Sequence, residues 1–246
     1  MASKIGPFTA LGARFRRWLS VKLRRLHLHR LVFRLISKEL AELDFQRLWV
    51  LRFAANPEKA RTYWEKYRYL GDILERCDIT PESKVLDVGC GISTVLHFLP
   101  GDRHGIDPLA DEYHKLYEYP EGISVTQAPG EHIPFPDDTF DFVFCSNVLD
   151  HVSDPPAVLA EIARTLKPDG RLILTVELFD HTGHGERSSD HPHQFDHDGA
   201  VRAVSRHFTV EFEGTSPWVS LYHFYGNKDP GHRRKELILL ARPEDN

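Results

Sequence analysis

The stretch Val85-Leu86-Asp87-Val88-Gly89-Cys90-Gly91-Ile92-Ser93-Thr94 decides the fold. Lys84 to Val88 is a short, apolar, β-branched run stopped by glycine, which predicts a buried strand. Gly89 and Gly91 predict a turn tight enough for backbone to approach a ligand with no Cβ in between. Ser93 to Leu99 resumes helical spacing, so the predicted unit is strand, glycine turn, helix. A helix N-terminus placed there would offer unpaired N–H groups to a polar ligand.

Two departures separate this stretch from the nicotinamide fingerprint G-x-G-x-x-G. Thr94 stands where the third glycine would be, and Asp87 lies two residues before the first. A carboxylate inside the turn is a poor neighbour for pyrophosphate and a good one for a cation. Asp107 ends a second predicted strand about 20 residues further on, where an acid can accept both hydroxyls of a ribose. A cation at one acid and a ribose at the other predict a nucleoside ligand without phosphates.

Two further runs extend the pattern. Glu131-His132-Ile133-Pro134-Phe135-Pro136-Asp137-Asp138-Thr139-Phe140-Asp141 leads into the apolar Phe142 to Ser146 and then Asn147-Val148-Leu149-Asp150-His151. Leu166-Lys167-Pro168-Asp169-Gly170-Arg171-Leu172 follows. With the glycine turn, these resemble the class I S-adenosylmethionine-dependent methyltransferases, in the small-molecule "methyltransferase type 11"-like branch, over roughly residues 60–241. The resemblance implies an α/β, Rossmann-like doubly wound sheet of seven mostly parallel strands, the last antiparallel. It places S-adenosylmethionine against Asp87, Gly89, Cys90 and Gly91, against Asp107 and Pro108, and against Asn147 at the end of the fourth strand. Many members carry an acid at the position of Pro129, so the adenine amino group falls to Gly130, Glu131 and His132.

Strands are also expected at Ile123–Gln127, Phe140–Ser146, Arg171–Glu177, Phe208–Glu213 and Glu236–Ala241, with helices at Leu109–Tyr119 and Pro156–Leu166 between them. Alternation of this kind gives a parallel-dominated sheet covered on both faces. Helices over Glu39–Phe53 and Pro57–Glu75 precede the first strand. Tyr63 and Tyr67 are candidates to cover the cofactor, and Trp64 and Tyr69 read as core. Residues 1–55 are expected as a basic helical extension and 56–246 as the cofactor-binding domain.

The 246 residues carry a net charge of −5 that hides an asymmetry. Residues 1–38 hold ten Lys or Arg and no acid, leaving 21 bases against 36 acids in the remainder. Within that arm, residues 14–38 alternate Arg with Leu, Val, Phe and Trp. Peripheral contact with an anionic membrane, docking on the acidic body or a second subunit, and a transit peptide are the competing readings. The acidic body argues against nucleic acid as a partner, because phosphate binding needs a basic track. Asn147-Val148-Leu149-Asp150 also lacks the proline-aromatic motif of base-modifying members of the family. The expected partner is a small-molecule, lipid or sugar acceptor. Cys77, Cys90 and Cys145 are too few and too scattered for a disulfide framework or a zinc site, and the chain is expected to be cytoplasmic, peripheral at a membrane if the arm binds one.

Methyl transfer from a sulfonium is an in-line displacement in which positioning does most of the work. An acceptor that must lose a proton needs a base. His181, His184, His191, His193 and His197 crowd the segment after the fifth strand. His191, His193 and His151 are the candidates for base or acceptor contact. The run Asp190 to Asp198 is compatible with metal ligation, but no metal is expected. The rival readings are a non-catalytic Rossmann-like binding protein and a nicotinamide-dependent oxidoreductase.

Overall fold

A computed structural model describes residues 42–43, 46–47, 49–50, 57–67, 70–179, 192–217 and 235–244. The basic arm at 14–38, Tyr69, His181, His184 and His191 lie outside these residues. Helices α1 (Pro57–Tyr67) and α2 (Leu70–Arg76) precede β1 (Lys84–Val88) and β2 (Asp102–Asp107). Then come α3 (Ala110–Leu116), β3 (Ile123–Gln127), β4 (Phe140–Ser146), α4 (Pro155–Thr165) and β5 (Leu166–Leu178). Helix α5 (His197–Val204) and strands β6 (Phe208–Pro217) and β7 (Lys235–Pro243) complete the order.

The seven strands form one sheet in the order β3-β2-β1-β4-β5-β7-β6. Strands β1 to β5 are mutually parallel, and β7 runs antiparallel between β5 and β6. The expected mostly parallel sheet with an antiparallel last strand is what forms. Because β1 is central, both its faces are covered, and its consecutive Val85 and Leu86 are both buried and apolar. Leu86 and Val88 pack with Val143, Leu174, Val158, Ile162 and Val204 on the face under α4 and α5. Val85 packs with Phe144, Ile173, Ile238, Tyr63, Trp64 and Ile73 on the face under α1 and α2. Of the expected extension, Leu43, Gln46, Trp49 and Val50 are buried against this domain.

The helix expected over Ser93–Leu99 is instead a four-residue 3-10 turn, Val95–Phe98. Leu99 precedes Pro100 and is extended, at φ −101° and ψ 147°. The proline ring pushes the preceding residue out of the helical region, so no second turn can form.

Arg164, in the last turn of α4, fastens the loop that leads into β4. Its guanidinium donates to the carbonyls of Phe135 (2.9 Å) and Ile133 (2.9 Å) and to Asp137 Oδ1 (2.7 Å). Its Nε and Nη2 also reach Glu161 at 2.8 and 2.9 Å, and Glu161 Oε2 accepts the Ile133 N–H at 2.8 Å. Asp137 is therefore an ion-pair partner. Asp138 takes a left-handed φ of 51°. Truncation of Arg164 leaves two backbone carbonyls and two carboxylates without their donor. Arg164→Ala should lower stability by about 2 kcal/mol, read as a lower urea midpoint at unchanged m-value; an unchanged midpoint would contradict the fastening role.

Candidate functional site

Strand β1 has β2 on one side and β4 on the other, and the chain departs from β1 in both directions. Ligands of doubly wound sheets bind at the carboxyl ends of the strands where this reversal occurs. Asp87 and Gly89 lie at the end of β1, Asp107 at the end of β2, and Asn147 directly after β4. The structure brings these four residues of the sequence reading to one crevice.

The turn after β1 is closed by hydrogen bonds from four parts of the chain. The N–H groups of Gly89 and Cys90 both donate to the Ile106 carbonyl, at 2.8 and 3.1 Å. Gly91 N donates to Asp107 Oδ2 at 3.1 Å, and Ile92 N to Gln46 Oε1 at 2.8 Å. The carbonyls are held as well: Tyr119 Oη donates to Gly91 O, His97 Nε2 lies 2.9 Å from Ile92 O, and Trp64 Nε1 donates to Ser93 O. The helix whose N-terminus was expected to offer unpaired N–H groups is reduced to the 3-10 turn, where the Leu96 N–H is taken by Thr94 Oγ1. All four amides of the turn are satisfied internally, so none is left to cradle a pyrophosphate. Gly89 and Gly91 have φ of 67° and 54°, a region that L side chains avoid. A Cβ on Gly89 would meet Val148 Cγ2 at 2.5 Å, and one on Gly91 would meet Gln46 Nε2 at 2.5 Å.

Asp87 is buried, and its Oδ2 accepts the Thr94 hydroxyl at 2.6 Å. Thr94 Oγ1 also accepts the Leu96 N–H, so the residue replacing the third glycine joins the end of the strand to the start of the 3-10 turn. Burial pushes the Asp87 carboxyl up to about 7, against the pull of the Thr94 hydroxyl and with a further push from Asp107. Asp107 is also raised by burial, while the N–H groups of Leu109 and Gly91 draw it down. Leu109 N donates to Asp107 Oδ1 at 2.9 Å. Each Asp107 oxygen therefore holds one N–H, and the Tyr113 hydroxyl also draws the carboxyl down. Pro108, next to it, is exposed. Cys90 points at β2, where a Cβ on Gly105 would meet its Sγ at 2.7 Å, and burial raises its thiol well above the usual range. It is a packing residue whose backbone alone belongs to the turn.

Asn147 is left-handed at φ 58°, a strained backbone of the kind found at ligand sites. Its Oδ1 and the Ser146 hydroxyl are buried with no partner among the described residues. Gly130 packs its Cα against Val88 and Val158, and His132 is exposed. The Glu131 carboxylate accepts the N–H groups of Ser153 (2.8 Å) and Asp154 (3.2 Å), which fixes the 147–154 loop.

Residues 86–174 match the family described as a methyltransferase domain. That segment is a methyltransferase domain. Its sheet order and the acids at the ends of β1 and β2 are those that the resemblance to class I, S-adenosylmethionine-dependent members implies. An uncharacterized methyltransferase of Bacillus subtilis, YcgJ, is 33% identical over 43% of this chain and 45% of its own length. A second, from Schizosaccharomyces pombe, is 27% identical over 65% of this chain and 56% of its own. The chain spans about half the length of these relatives. Among solved structures, the [4+2]-cyclase SpnF superposes with a TM-score of 0.55 at 19% identity, over 71% of this chain and 79% of that one.

The crevice of this methyltransferase domain fits the cofactor: two buried acids, two orphaned polar atoms beside β4, and a turn with no spare donor for phosphate. When bound, S-adenosylmethionine supplies a methyl group on a cationic sulfur. Gln46 is the residue that sequence reasoning missed. It is buried on the turn, and its Nε2 donates to Glu42 at 2.8 Å, yet no local motif marks it. Tyr63 is in the core, 5.5 Å from Trp49 ring to ring, and not over the crevice. Glu177 and Glu236, both buried, face each other across β5 and β7 near the carboxyl end of β5.

His151 Nε2 lies 3.4 Å from Asn147 Nδ2 and 3.6 Å from buried Asp150 Oδ2. His193 is held to the same loop, its Nε2 3.3 Å from Ser153 O and its N–H donating to Asp150 O. His197 pairs with Asp198 and Glu213, and Asp196 caps α5 through Gly199 N. Among the described residues no cluster of three or more His, Cys, Asp or Glu could hold a metal.

A carboxyl raised in the fold binds its proton more tightly there than in the unfolded chain. The Asp87 contribution to stability is therefore full at low pH and is lost as pH rises through about 7. Asp87→Asn should abolish that fall between about pH 4 and 7, compared with wild type by urea midpoints. A cationic ligand favours the ionised form, so wild-type affinity for S-adenosylmethionine should rise with pH towards about 7 and the variant's should not. Parallel pH profiles in the two proteins would acquit Asp87.

Proposed function

We propose that the protein transfers a methyl group from S-adenosylmethionine to a small-molecule, lipid or sugar acceptor, and not to nucleic acid. The observation that carries the cofactor half is the pairing of buried Asp87 and Asp107 around a turn whose amides are all spent. Such a crevice suits a cationic nucleoside and offers nothing to a dinucleotide pyrophosphate. In this reading Asp107 and Pro108 hold the ribose side, Asp87, Gly89, Cys90 and Gly91 the amino-acid side, and Gly130, Glu131, His132 and Asn147 the adenine side. His191, His193 and His151 stand as the candidates for acceptor contact or proton removal.

The acceptor half rests on charge. Relatives point both ways: phosphoethanolamine N-methyltransferase 3 of Arabidopsis thaliana is 29% identical over 42% of this chain and 23% of its own length. A tRNA U34 carboxymethyltransferase of Campylobacter curvus is 28% identical over 50% of this chain and 43% of its own. Beyond residue 38 the chain carries 21 bases against 36 acids, and an RNA would meet a repulsive body. The basic arm is the exception. We assign its residues 14–38 to an anionic membrane surface, with the protein on the cytoplasmic side. No helix of the described residues is long and apolar enough to cross a membrane.

A second reading has its own support, because SpnF carries this fold under the name of a cyclase. A protein that holds the cofactor without passing on its methyl group would bind it equally well and release no S-adenosylhomocysteine with any acceptor.

Calorimetric titration tests the cofactor. S-adenosylhomocysteine should bind in the micromolar range and NADH should not, and Asp107→Ala should weaken the first at least about tenfold, the loss of a buried charged acceptor. NADH binding, or an Asp107→Ala variant of unchanged affinity, would sink the assignment. Deletion of residues 1–38 should leave that affinity intact and abolish cosedimentation with vesicles of phosphatidylcholine and phosphatidylglycerol. Full-length protein that stays in the supernatant would remove the membrane from the proposal.

A further inference from the structure

A cavity of about 790 Å³ lies away from the glycine turn, between the start of α4 and one face of α5. One wall is Ser153 to Pro156; the other is Gly199, Arg202 and Ala203 of α5 with Arg206 from the turn that follows it, and Pro192 to Phe195 lie between them. Arg202 and Arg206 thus reach the same cavity from the last turn of the helix and from just beyond its end. Neither makes an ion pair or hydrogen bond with any described residue. The Gln194 amide beside them is likewise unpartnered among the described residues. The helix dipole favours cations at this end of α5, but it gives their donors nothing to bind, and like charges at this spacing repel.

On the opposite wall the backbone donors are absent or taken, and the Ser153 hydroxyl is the side-chain donor. Pro155 and Pro156 have no N–H, Ala157 N is capped by Asp154 Oδ1 at 3.1 Å, and Ser153 N and Asp154 N are taken by Glu131. The His193 ring is tied to Ser153 O. Asp154 is the acid on the rim, and its Oδ1 is spent on that cap. The donors facing the cavity are thus two forked guanidiniums, the Gln194 amide and the Ser153 hydroxyl, a set that matches the oxygens of a phosphate. The rest of the lining is apolar at Pro155, Pro192, Phe195 and Ala203, and the volume far exceeds that of an inorganic ion.

We propose that this cavity is a binding site, separate from the cofactor crevice, for an organic phosphate monoester. The phosphate lies on Arg202, Arg206 and Gln194, and the organic body lies against the prolines and Phe195. The proposal does not depend on which molecule is methylated. Among the described residues it shares His193 with the candidate acceptor contacts, and that ring is tied to Ser153 O.

Titration of the full chain with phenyl phosphate, inorganic phosphate and benzyl alcohol tests it. Phenyl phosphate should bind with a sub-millimolar Kd, inorganic phosphate at least severalfold more weakly, and the uncharged alcohol not detectably. Arg202→Gln with Arg206→Gln should weaken phenyl phosphate at least tenfold, while S-adenosylhomocysteine affinity, the control for folding, stays unchanged. Ala203→Trp, which keeps both charges and fills the cavity, should weaken it likewise. No binding of phenyl phosphate, or unchanged binding in both variants, overturns the site. Inorganic phosphate binding as tightly as the ester overturns the organic ligand. Failure of S-adenosylhomocysteine to bind wild type would strike the cofactor assignment and leave this titration standing.

Discussion

The structure depends on how the turn at residues 89–92 closes. Four consecutive amides find partners in the Ile106 carbonyl, the Asp107 carboxylate and the Gln46 side chain. Three of these bonds tie the turn to the end of β2 and the fourth ties it to Gln46, so the turn is a junction of β1, β2 and the residues within 42–50. A backbone amide buried without a partner costs as much as a lost hydrogen bond, often more. The sequence answers that constraint with an acid at the end of β2 and a glutamine from far upstream. It leaves the crevice with an electrostatic character set by carboxylates rather than by N–H dipoles, and that character selects cations over phosphates.

The same junction explains why Thr94 replaces a glycine without damage. Its hydroxyl donates to Asp87 and accepts from Leu96 N, so one side chain both shields a buried carboxylate and caps the 3-10 turn. Arg164 performs the equivalent service on the other side of β4, where one guanidinium gathers two carbonyls and two carboxylates. In both cases a buried or half-buried polar group is kept because its whole partner set arrives together.

What could be read from sequence follows from how local the information is. The glycine turn, the acids Asp87 and Asp107, and the strand at Phe140–Ser146 are written in runs of a few residues. Alternating strands and helices then leave few topologies. The run Ser93–Leu99 misled because its apolar spacing is helical while Pro100, one residue later, forbids the second turn. Gln46 was illegible for a different reason: it sits 46 residues from the N–H it satisfies, in a segment with no motif. The facing of Glu177 and Glu236 is equally non-local, since register between β5 and β7 is set by the whole sheet. The cavity beside α5 depends on how two helices lie side by side, which no periodicity encodes.

The place of β7 has a consequence for how the molecule is made. Leu172 to Leu178 of β5 pair with Ala241 to Lys235, so an interior strand of the sheet is supplied by the last of the described strands. During synthesis β5 leaves the ribosome long before its neighbour, with an apolar edge from Leu172 to Val176 and unpaired backbone along it. Long-range pairing of this kind is slow, because the intervening loop must close before any contact rewards it. An open edge of that composition is also a template for pairing with another chain. The vulnerable period of this protein is thus its birth, between the emergence of β5 and the arrival of β7, and chaperone demand should fall in that interval.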